Sequence, residues 1–435
     1  MTALLKSSGT TLVTTIVITA IGFITSVITA RVLGPEGRGL LSGALLIATL
    51  AGNVALFGLA NSYIYHKGTG RPFRYGLFFA GSLLFVAGLS ALLGFIGTQV
   101  MTHEAQLHAQ LPLILSLTVV TATQGYFYAL SQLHHGLRFF NLMRFLLVIG
   151  NLILLLGLLL FFKPVDFRMI LITQTIVSAG LTLAGIAWAR HHRIWEGGDT
   201  TQAPVAWKSM LGYGASHHGT VVIGLLLVNF DKVALLNIGT IVEYGFYALA
   251  FTTSRLIGAL QEAVSTALYS RHAGRDVQAL SENVRTAFRM TFVPMLAVAA
   301  IGALLSPWLI VWVYGESFAS TVIPFAVLLF ECVISGASWT LAQRFNAGGR
   351  PGLVFVRQFI SVLPIFIALP FLPHENIHVY LSLLMLAGGI LRLSVTLVIY
   401  PTVLKERVPD ILPTPADCRA VLNVLARRQV ADGKA

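Results

Sequence analysis

A chain of 435 residues that is 56% hydrophobic and only 11% charged cannot cover a water-facing surface, because soluble domains carry roughly 25% charged residues. Soluble folds are therefore excluded and lipid is the expected solvent. The formal net charge of +12 would raise nucleic-acid binding in a soluble protein, but here the placement of the basic residues decides what they mean.

A membrane-spanning helix takes about 20 apolar residues. Twelve such stretches follow one another at 12–30, 40–62, 76–98, 111–133, 145–162, 169–189, 211–230, 240–262, 287–310, 320–342, 352–371 and 378–400. Most are apolar on every face, as lipid-embedded helices are, and none shows the alternation of membrane β-strands. Lys6 precedes the first stretch without a small-residue cleavage site, so it reads as an uncleaved span and not a signal peptide. Cys332 lies in an apolar span and Cys418 near the C-terminus, which gives no disulfide framework. Trp308, Trp312 and Tyr314 at the outer end of the ninth span read as interfacial aromatics. Pro324 and Pro364 fall inside spans and are expected to kink them.

Positive charges gather in cytoplasmic loops. With twelve spans, 22 of the 29 Lys and Arg fall on one side, five on the other, and Arg255 and Arg392 inside spans. The larger set includes Arg344, Arg350 and Arg357; the smaller is Arg31, Arg38, Lys163, Arg168 and Lys232. Both termini are thus expected in the cytoplasm. The basicity is a topology signal, and no nucleic-acid partner is expected. The longest outer connection, 99–110, has no room for a soluble domain.

The chain also repeats itself. Span 1 ends in Arg31-Val-Leu-Gly34-Pro-Glu36-Gly-Arg-Gly39, and span 7 in Leu236-Asn-Ile-Gly239-Thr-Ile-Val-Glu243-Tyr-Gly245. Both read as a tight turn with two glycines flanking an acid, offset by 205 and 206 residues. Tyr65-His-Lys-Gly68 answers Ser270-Arg-His-Ala-Gly274. Gln132 to Arg138, ending at Arg144, answers Gln343 to Arg350, ending at Arg357, with the offset growing to 211–213. An even number of helices per repeat relates the halves by an axis along the membrane normal. The expected organisation is an N-terminal six-helix bundle (1–189), a polar linker (190–208), a C-terminal six-helix bundle (209–400) and a cytoplasmic tail (401–435) whose residues 415–428 read either as a short amphipathic interfacial helix or as a disordered stretch.

Leu33-Gly-Pro-Glu-Gly-Arg-Gly39, Tyr314-Gly-Glu-Ser-Phe-Ala319 and Ala347-Gly-Gly-Arg-Pro-Gly352 resemble the turns of oligosaccharide flippases of the polysaccharide transporter family, within the superfamily of multidrug and oligosaccharidyl-lipid exporters. The resemblance covers nearly the whole chain. It implies an all-α, MATE-like pair of pseudo-symmetric bundles and a V-shaped, alternating-access carrier. It implies as substrate a polyprenyl-pyrophosphate-linked oligosaccharide for surface or exopolysaccharide synthesis. It also implies membrane lipid, a polysaccharide polymerase and export machinery as partners, with no cofactor. The related lipid II flippases carry fourteen spans, against twelve here.

Charges at membrane depth are costly and face a cavity or a partner. Arg31, Asp231, Lys232, Arg255, Glu262, Glu331 and Arg392 qualify. A pyrophosphate suits the planar fork of arginine. Arg31, Arg255 and Arg392, with Lys232, are therefore the expected substrate-binding residues of a cationic central cavity. Their alternatives are snorkelling of Arg31 and pairing of Arg255 or Arg392 with Glu331. Glu331 and Asp231 are candidate ion-coupling carboxylates, against an Arg–Glu pair and an Asp231–Lys232 anchor. His217 and His218 read as packing residues at the start of span 7.

No nucleotide-binding G-x-x-x-x-G-K-[ST] loop, metal-spaced His/Cys cluster or G-x-S-x-G elbow is present. The chain is accordingly expected not to be an enzyme. The rival transport reading is a multidrug/cation antiporter of the same superfamily, which would want an acid-rich cavity.

Overall fold

A computed structural model describes residues 2–133, 138–196, 205–272 and 277–413. The described residues contain helices and no strand. Ten helical stretches are long and apolar enough to cross a membrane. One of these, 14–68, holds two of the expected spans. The helix Ile241–His272 is of membrane length but stands outside the ten, because Glu243, Arg255 and Glu262 interrupt its apolar run.

The chain forms two compact units, Met1–Ala248 and Leu249–Ala435. The first holds α1 (Thr2–Ala55), α2 (Leu59–Gly68), α3 (Tyr75–Met101), α4 (Ala105–Ala109), α5 (Leu111–Leu130), α6 (Arg138–Phe161), α7 (Phe167–His191), α8 (Trp207–Ile238) and the start of α9 (Ile241–His272). Helix α5 is its centre. It packs against α1, α3 and α7 and buries Ile114, Leu117, Tyr126 and Phe127 together with Thr118, Thr123 and Gln124. The hydroxyls of Thr118 and Thr123 return to carbonyls of the preceding turn, so their burial leaves no orphaned donor. Helix α8 lies against α1, α2 and α3. Ser62 donates to the Met210 carbonyl (2.6 Å), and His218 Nε2 lies 2.9 Å from the Val54 carbonyl, which gives His218 the packing place expected of it. The His217 side chain lies outside the described residues, as do 134–137, 197–204 of the linker, 273–276 and the expected tail helix over 415–428.

The expected tight turn at 33–39 is instead a kink within one long helix. Gly34 alone leaves the helical region (φ 66°, ψ −178°), and α1 resumes at Pro35. A proline is preorganised for the first turn of a helix and has no N–H to lose there, so the chain bends without a loop. Beyond the kink, Arg38 turns back to donate to Thr29 (2.9 Å) and Ser26 (3.1 Å). The two glycine motifs seen in the sequence meet each other inside this unit. A Cβ on Gly39 would strike the Ile241 carbonyl, and a Cβ on Gly245 would strike the Pro35 carbonyl. The contact is reciprocal: each motif seats its second glycine on the backbone of the other, as in a self-complementary two-fold contact. Only residues without a side chain let two helix backbones approach this closely.

The second unit holds the rest of α9, α10 (Val277–Tyr314), α11 (Val322–Asn346), α12 (Pro351–Ala368) and α13 (Ile377–Ile399). Its centre is α11, which packs on α10, α12 and α13. Helix α11 begins 211 residues after α5, and the most apolar stretch of each is half buried. Sequence repeat and burial therefore agree on the pair of central helices. Pro324 sits in the first turn of α11, where a proline is tolerated without a kink, contrary to expectation. Pro364 lies inside α12, and Pro294 and Pro307 inside α10. Trp308 and Trp312 are exposed, but Tyr314 is buried with its hydroxyl 2.8 Å from Thr253, so it is a packing residue and not an interfacial one. After α13 the chain folds back on its own unit. Glu406 accepts from Arg344 Nε and Nη2 (3.0 and 2.6 Å) and from Ser281, while Asp410 pairs with Arg289 (3.7 Å).

Candidate functional site

Most charges inside this chain fall into two groups, one in each unit. In the first unit, Asp231 on α8 is fully buried. It accepts from the Tyr247 hydroxyl (2.6 Å) and pairs with Lys232 (3.3 Å), whose ammonium also donates to the Val228 carbonyl (3.1 Å). One acid and one base balance each other here. This is the anchor geometry, and it leaves no net charge for a ligand. Arg31 is exposed one turn before the Gly34 kink.

The second group is in the other unit and is unbalanced. Glu331 projects from the buried face of α11, and its side chain is 3% exposed. Arg255 of α9 pairs with it at 2.5 Å, and Arg392 of α13 at 3.5 Å. Ser335, one turn along α11, donates to the same carboxylate (2.5 Å) and accepts from Arg392. Gln358 of α12 accepts from the other end of Arg392 (3.3 Å). The Phe251 ring lies beneath the Arg255 guanidinium at 4.3 Å, a cation–π contact that helps hold the cation in place. Two of the expected substrate-binding residues and one expected coupling residue are thus brought together, while Arg31, Lys232 and Asp231 belong to the first unit.

A third cation was misread from sequence. Arg357, counted there among the cytoplasmic charges, is 2% exposed inside α12. Its Nη1 donates to the Ser338 hydroxyl (2.6 Å), the Ser338 carbonyl (3.3 Å) and the Thr396 hydroxyl (3.3 Å). The Trp339 ring lies 5.7 Å away. All of these partners are neutral. Arg357 also feels the charge of Arg392, and its Nε has no hydrogen-bond partner. The signal that could have found it is spacing: Arg357, Ser361 and Ile365 recur every four residues on the buried face of α12.

Two guanidiniums therefore share one carboxylate, and a third, Arg357, is buried beside Ser338 and Thr396 with no acid of its own. Beside them a cavity of about 360 Å³ is lined by Arg255, Gly258, Glu262, Cys332, Ser335 and Trp339. Arg255 is 31% exposed and Arg392 19%, so the site is reachable from the surface of the unit. Buried charge of one sign is costly unless countered. A dianion bridging these arginines would supply the missing counter-charge with charge-assisted hydrogen bonds. Among the described residues no group of three His, Cys, Asp or Glu could hold a metal ion.

Residues 4–269 match a family described as polysaccharide biosynthesis protein. No curated protein matches the sequence. Among solved structures, the fold is similar to the lipid II flippase MurJ in an inward closed conformation, with a TM-score of 0.69 at 12% identity over 90% of this chain and 87% of that one. It is also similar to an inward-facing multidrug resistance MATE transporter of the MOP superfamily, with a TM-score of 0.59 at 13% identity over 87% and 92%. A variant of the Vibrio cholerae MATE transporter VcmN gives a TM-score of 0.57 at 14% identity over 93% and 97%.

Proposed function

The chain belongs to the polysaccharide biosynthesis protein family, and we propose that it is a flippase carrying polyprenyl-pyrophosphate-linked oligosaccharides from the cytoplasmic to the outer leaflet of a bacterial inner membrane. The observation that carries this reading is that two half-buried arginines, Arg255 and Arg392, share the one buried carboxylate of Glu331, while Arg357 lies buried in the same unit without an acid. A pyrophosphate is a dianion or more, and arginine forks match its oxygens in pairs.

In the proposed mechanism Glu331 is a resident counter-ion. With no substrate bound it holds Arg255 and Arg392 in place. An arriving pyrophosphate exchanges for the carboxylate, and Arg357 supplies the charge that makes the exchange favourable. When the site is exposed to the other leaflet, Glu331 recaptures the arginines and the headgroup leaves. Affinity stays moderate because the competing anion belongs to the protein. Release needs only that, since a carrier that binds too tightly cannot turn over. Once a headgroup holds Arg255 and Arg392, Glu331 loses its counter-cations and becomes the acid that can take up a coupling proton, whereas Asp231 keeps Lys232 and Tyr247 throughout. The site's own chemistry is binding and exchange, with no bond to break, so no catalytic residue is proposed. The cationic site disfavours the alternative, a cation antiporter of the same superfamily, because a cationic drug would meet a positive field.

The test is translocation of a fluorescent polyprenyl-pyrophosphate oligosaccharide in liposomes containing the purified protein, wild type against Arg255→Ala/Arg392→Ala. Flipping by the wild type that is lost in the double variant supports the reading. Export of cationic dyes with no flipping of any lipid-linked sugar would replace it with the antiporter.

A further inference from the structure

Helix α9 is of membrane length yet carries exposed polar residues along one face. Arg255, Gly258, Ala259, Glu262, Ser265, Thr266 and Tyr269 recur at three- and four-residue steps, the spacing of a single helical stripe. A stripe with an exposed carboxylate at its centre cannot face lipid. Opposite it stands the face of α11 that carries Ser335, Gly336, Trp339, Gln343 and Asn346. Two cavities lie between these faces, one of about 360 Å³ at Arg255 and one of about 460 Å³ farther along. Both are lined by Glu262 and Trp339, so they form one groove that leads away from the arginine cluster.

The chemistry changes along this groove. Its near end is cationic. Its far end has two aromatic faces, Trp339 and Tyr269, 37% and 49% exposed, and an array of neutral or anionic hydrogen-bonding groups: Glu262, Thr266, Gln343 and Asn346. Ser265 is already engaged with Thr340 (3.1 Å) and Gln343 Nε2 with the Trp339 carbonyl (3.3 Å). By contrast, the side chains of Glu262, Thr266 and Asn346 have no hydrogen-bond partner among the described residues. Exposed aromatic faces beside unspent amides, hydroxyls and a carboxylate suit a ligand with apolar ring faces and a rim of hydroxyl groups. That is a pyranose ring, whose C–H faces stack on aromatics while its hydroxyls bond to amides and carboxylates. A second phosphate or an acyl chain fits poorly, since the far end offers no cation among the described lining residues and too much polarity. Each cavity lies in the size range of small-ligand sites, roughly 300–1,000 Å³.

We infer that the α9–α11 groove from Glu262 to Asn346 is the glycan subsite, holding the first sugars of the substrate while its pyrophosphate lies on Arg255. This rests on the flippase reading and deepens it. It assigns recognition of the sugar to Trp339, Tyr269, Glu262 and Asn346, and separates it from recognition of the charge.

The experiment compares two probes on the full-length protein in nanodiscs: farnesyl pyrophosphate, which has no sugar, and the same lipid pyrophosphate carrying a disaccharide. Trp339→Ala and Asn346→Ala should each weaken the glycosylated probe by about tenfold, the worth of one aromatic or polar contact at 1.4 kcal/mol per decade, and Asn346→Ala, which lies away from the arginines, should leave farnesyl pyrophosphate unchanged. Trp339→Phe keeps a stacking face and should recover most of the loss, which guards against a folding defect; Asn346→Ala guards against indirect loss through Arg357. Equal weakening of both probes by Asn346→Ala, or no effect of either alanine on the glycosylated probe, overturns the glycan subsite. Wild-type protein that binds neither probe overturns the flippase reading itself, and the subsite falls with it.

Discussion

Replacing Glu331 by glutamine tests the counter-ion idea at its centre. The carboxylate is 3% exposed and lies 2.5 Å from Arg255 and 3.5 Å from Arg392. Two unit charges about 4 Å apart interact by about 4 kcal/mol at an effective dielectric near 20. Arg255 is almost one-third exposed, so solvent screens its share and less than the two-pair total applies. Glutamine keeps the shape but removes the charge, leaving Arg255 and Arg392 uncompensated. Breaking buried pairs in this way costs about 3–5 kcal/mol, and the screened site belongs at the low end, about 3 kcal/mol. The wild type and Glu331→Gln should therefore differ clearly in thermal unfolding in detergent without ligand. Farnesyl pyrophosphate should then stabilise the variant far more than the wild type, because it fills a vacancy in one and must displace a carboxylate in the other. At 100 times its dissociation constant a ligand contributes about 2.7 kcal/mol, enough to offset most of the loss. The variant should bind this anion at least about tenfold more tightly yet flip the glycosylated lipid more slowly, since release lacks its competitor. If Glu331→Gln unfolds with the wild type and the anion shifts both equally, the carboxylate is not a counter-ion and the exchange mechanism is wrong.

Arg357→Met should leave thermal stability equal or raised by about 1 kcal/mol, because it exchanges a buried charge without an acid for an apolar chain of similar length; farnesyl pyrophosphate titration should at the same time show weaker binding. Gly39→Ala and Gly245→Ala each push a methyl into a backbone carbonyl and should cost about 1–3 kcal/mol, seen as a lowered unfolding temperature. Gly157→Ala, in open space on α6, should instead be neutral or stabilising by up to about 1 kcal/mol. Cysteines placed at the exposed positions Arg71 and Lys163 should react with a membrane-impermeant maleimide from opposite sides in intact cells, Lys163→Cys at once and Arg71→Cys only after permeabilisation. The reverse order would invert the topology.

The twelve spans were legible because lipid imposes a one-dimensional rule, a run of apolar residues long enough to cross. What that rule cannot see is how a span continues. Gly34-Pro35 looks like a loop in sequence, yet one residue at φ 66° followed by a proline at a helix start is enough to bend α1 and go on. Pairing of Arg255 or Arg392 with Glu331 could be foreseen from cost alone, since an intramembrane charge needs a partner. That both arginines would share one carboxylate could not, because the three residues sit on α9, α13 and α11. Arg357 escaped for the same reason. A basic residue near the cytoplasmic end of its stretch reads as a cytoplasmic charge, and only Ser338 on α11 and Thr396 on α13 make its burial tolerable.

The repeat offers an internal control on whether the charge cluster is a demand of the fold. Helices α5 and α11 start 211 residues apart and are equally central. At that offset Glu331 falls on Val120, and α5 fills its buried face with Thr118, Thr123 and Gln124. Arg144, which answers Arg357 at the later offset of 213, is only half-buried and lies against the Phe140 ring. At the place of Glu331 the other copy therefore uses neutral polar and apolar residues, and at the place of Arg357 a cation that is only half-buried. Ion pairs in an interior are seldom the most stabilising way to fill it, and apolar residues of similar volume often do as well or better. Packing does not ask for Arg255, Arg357, Arg392 and Glu331. The proposed site, which binds an anion and lets it go, uses all four.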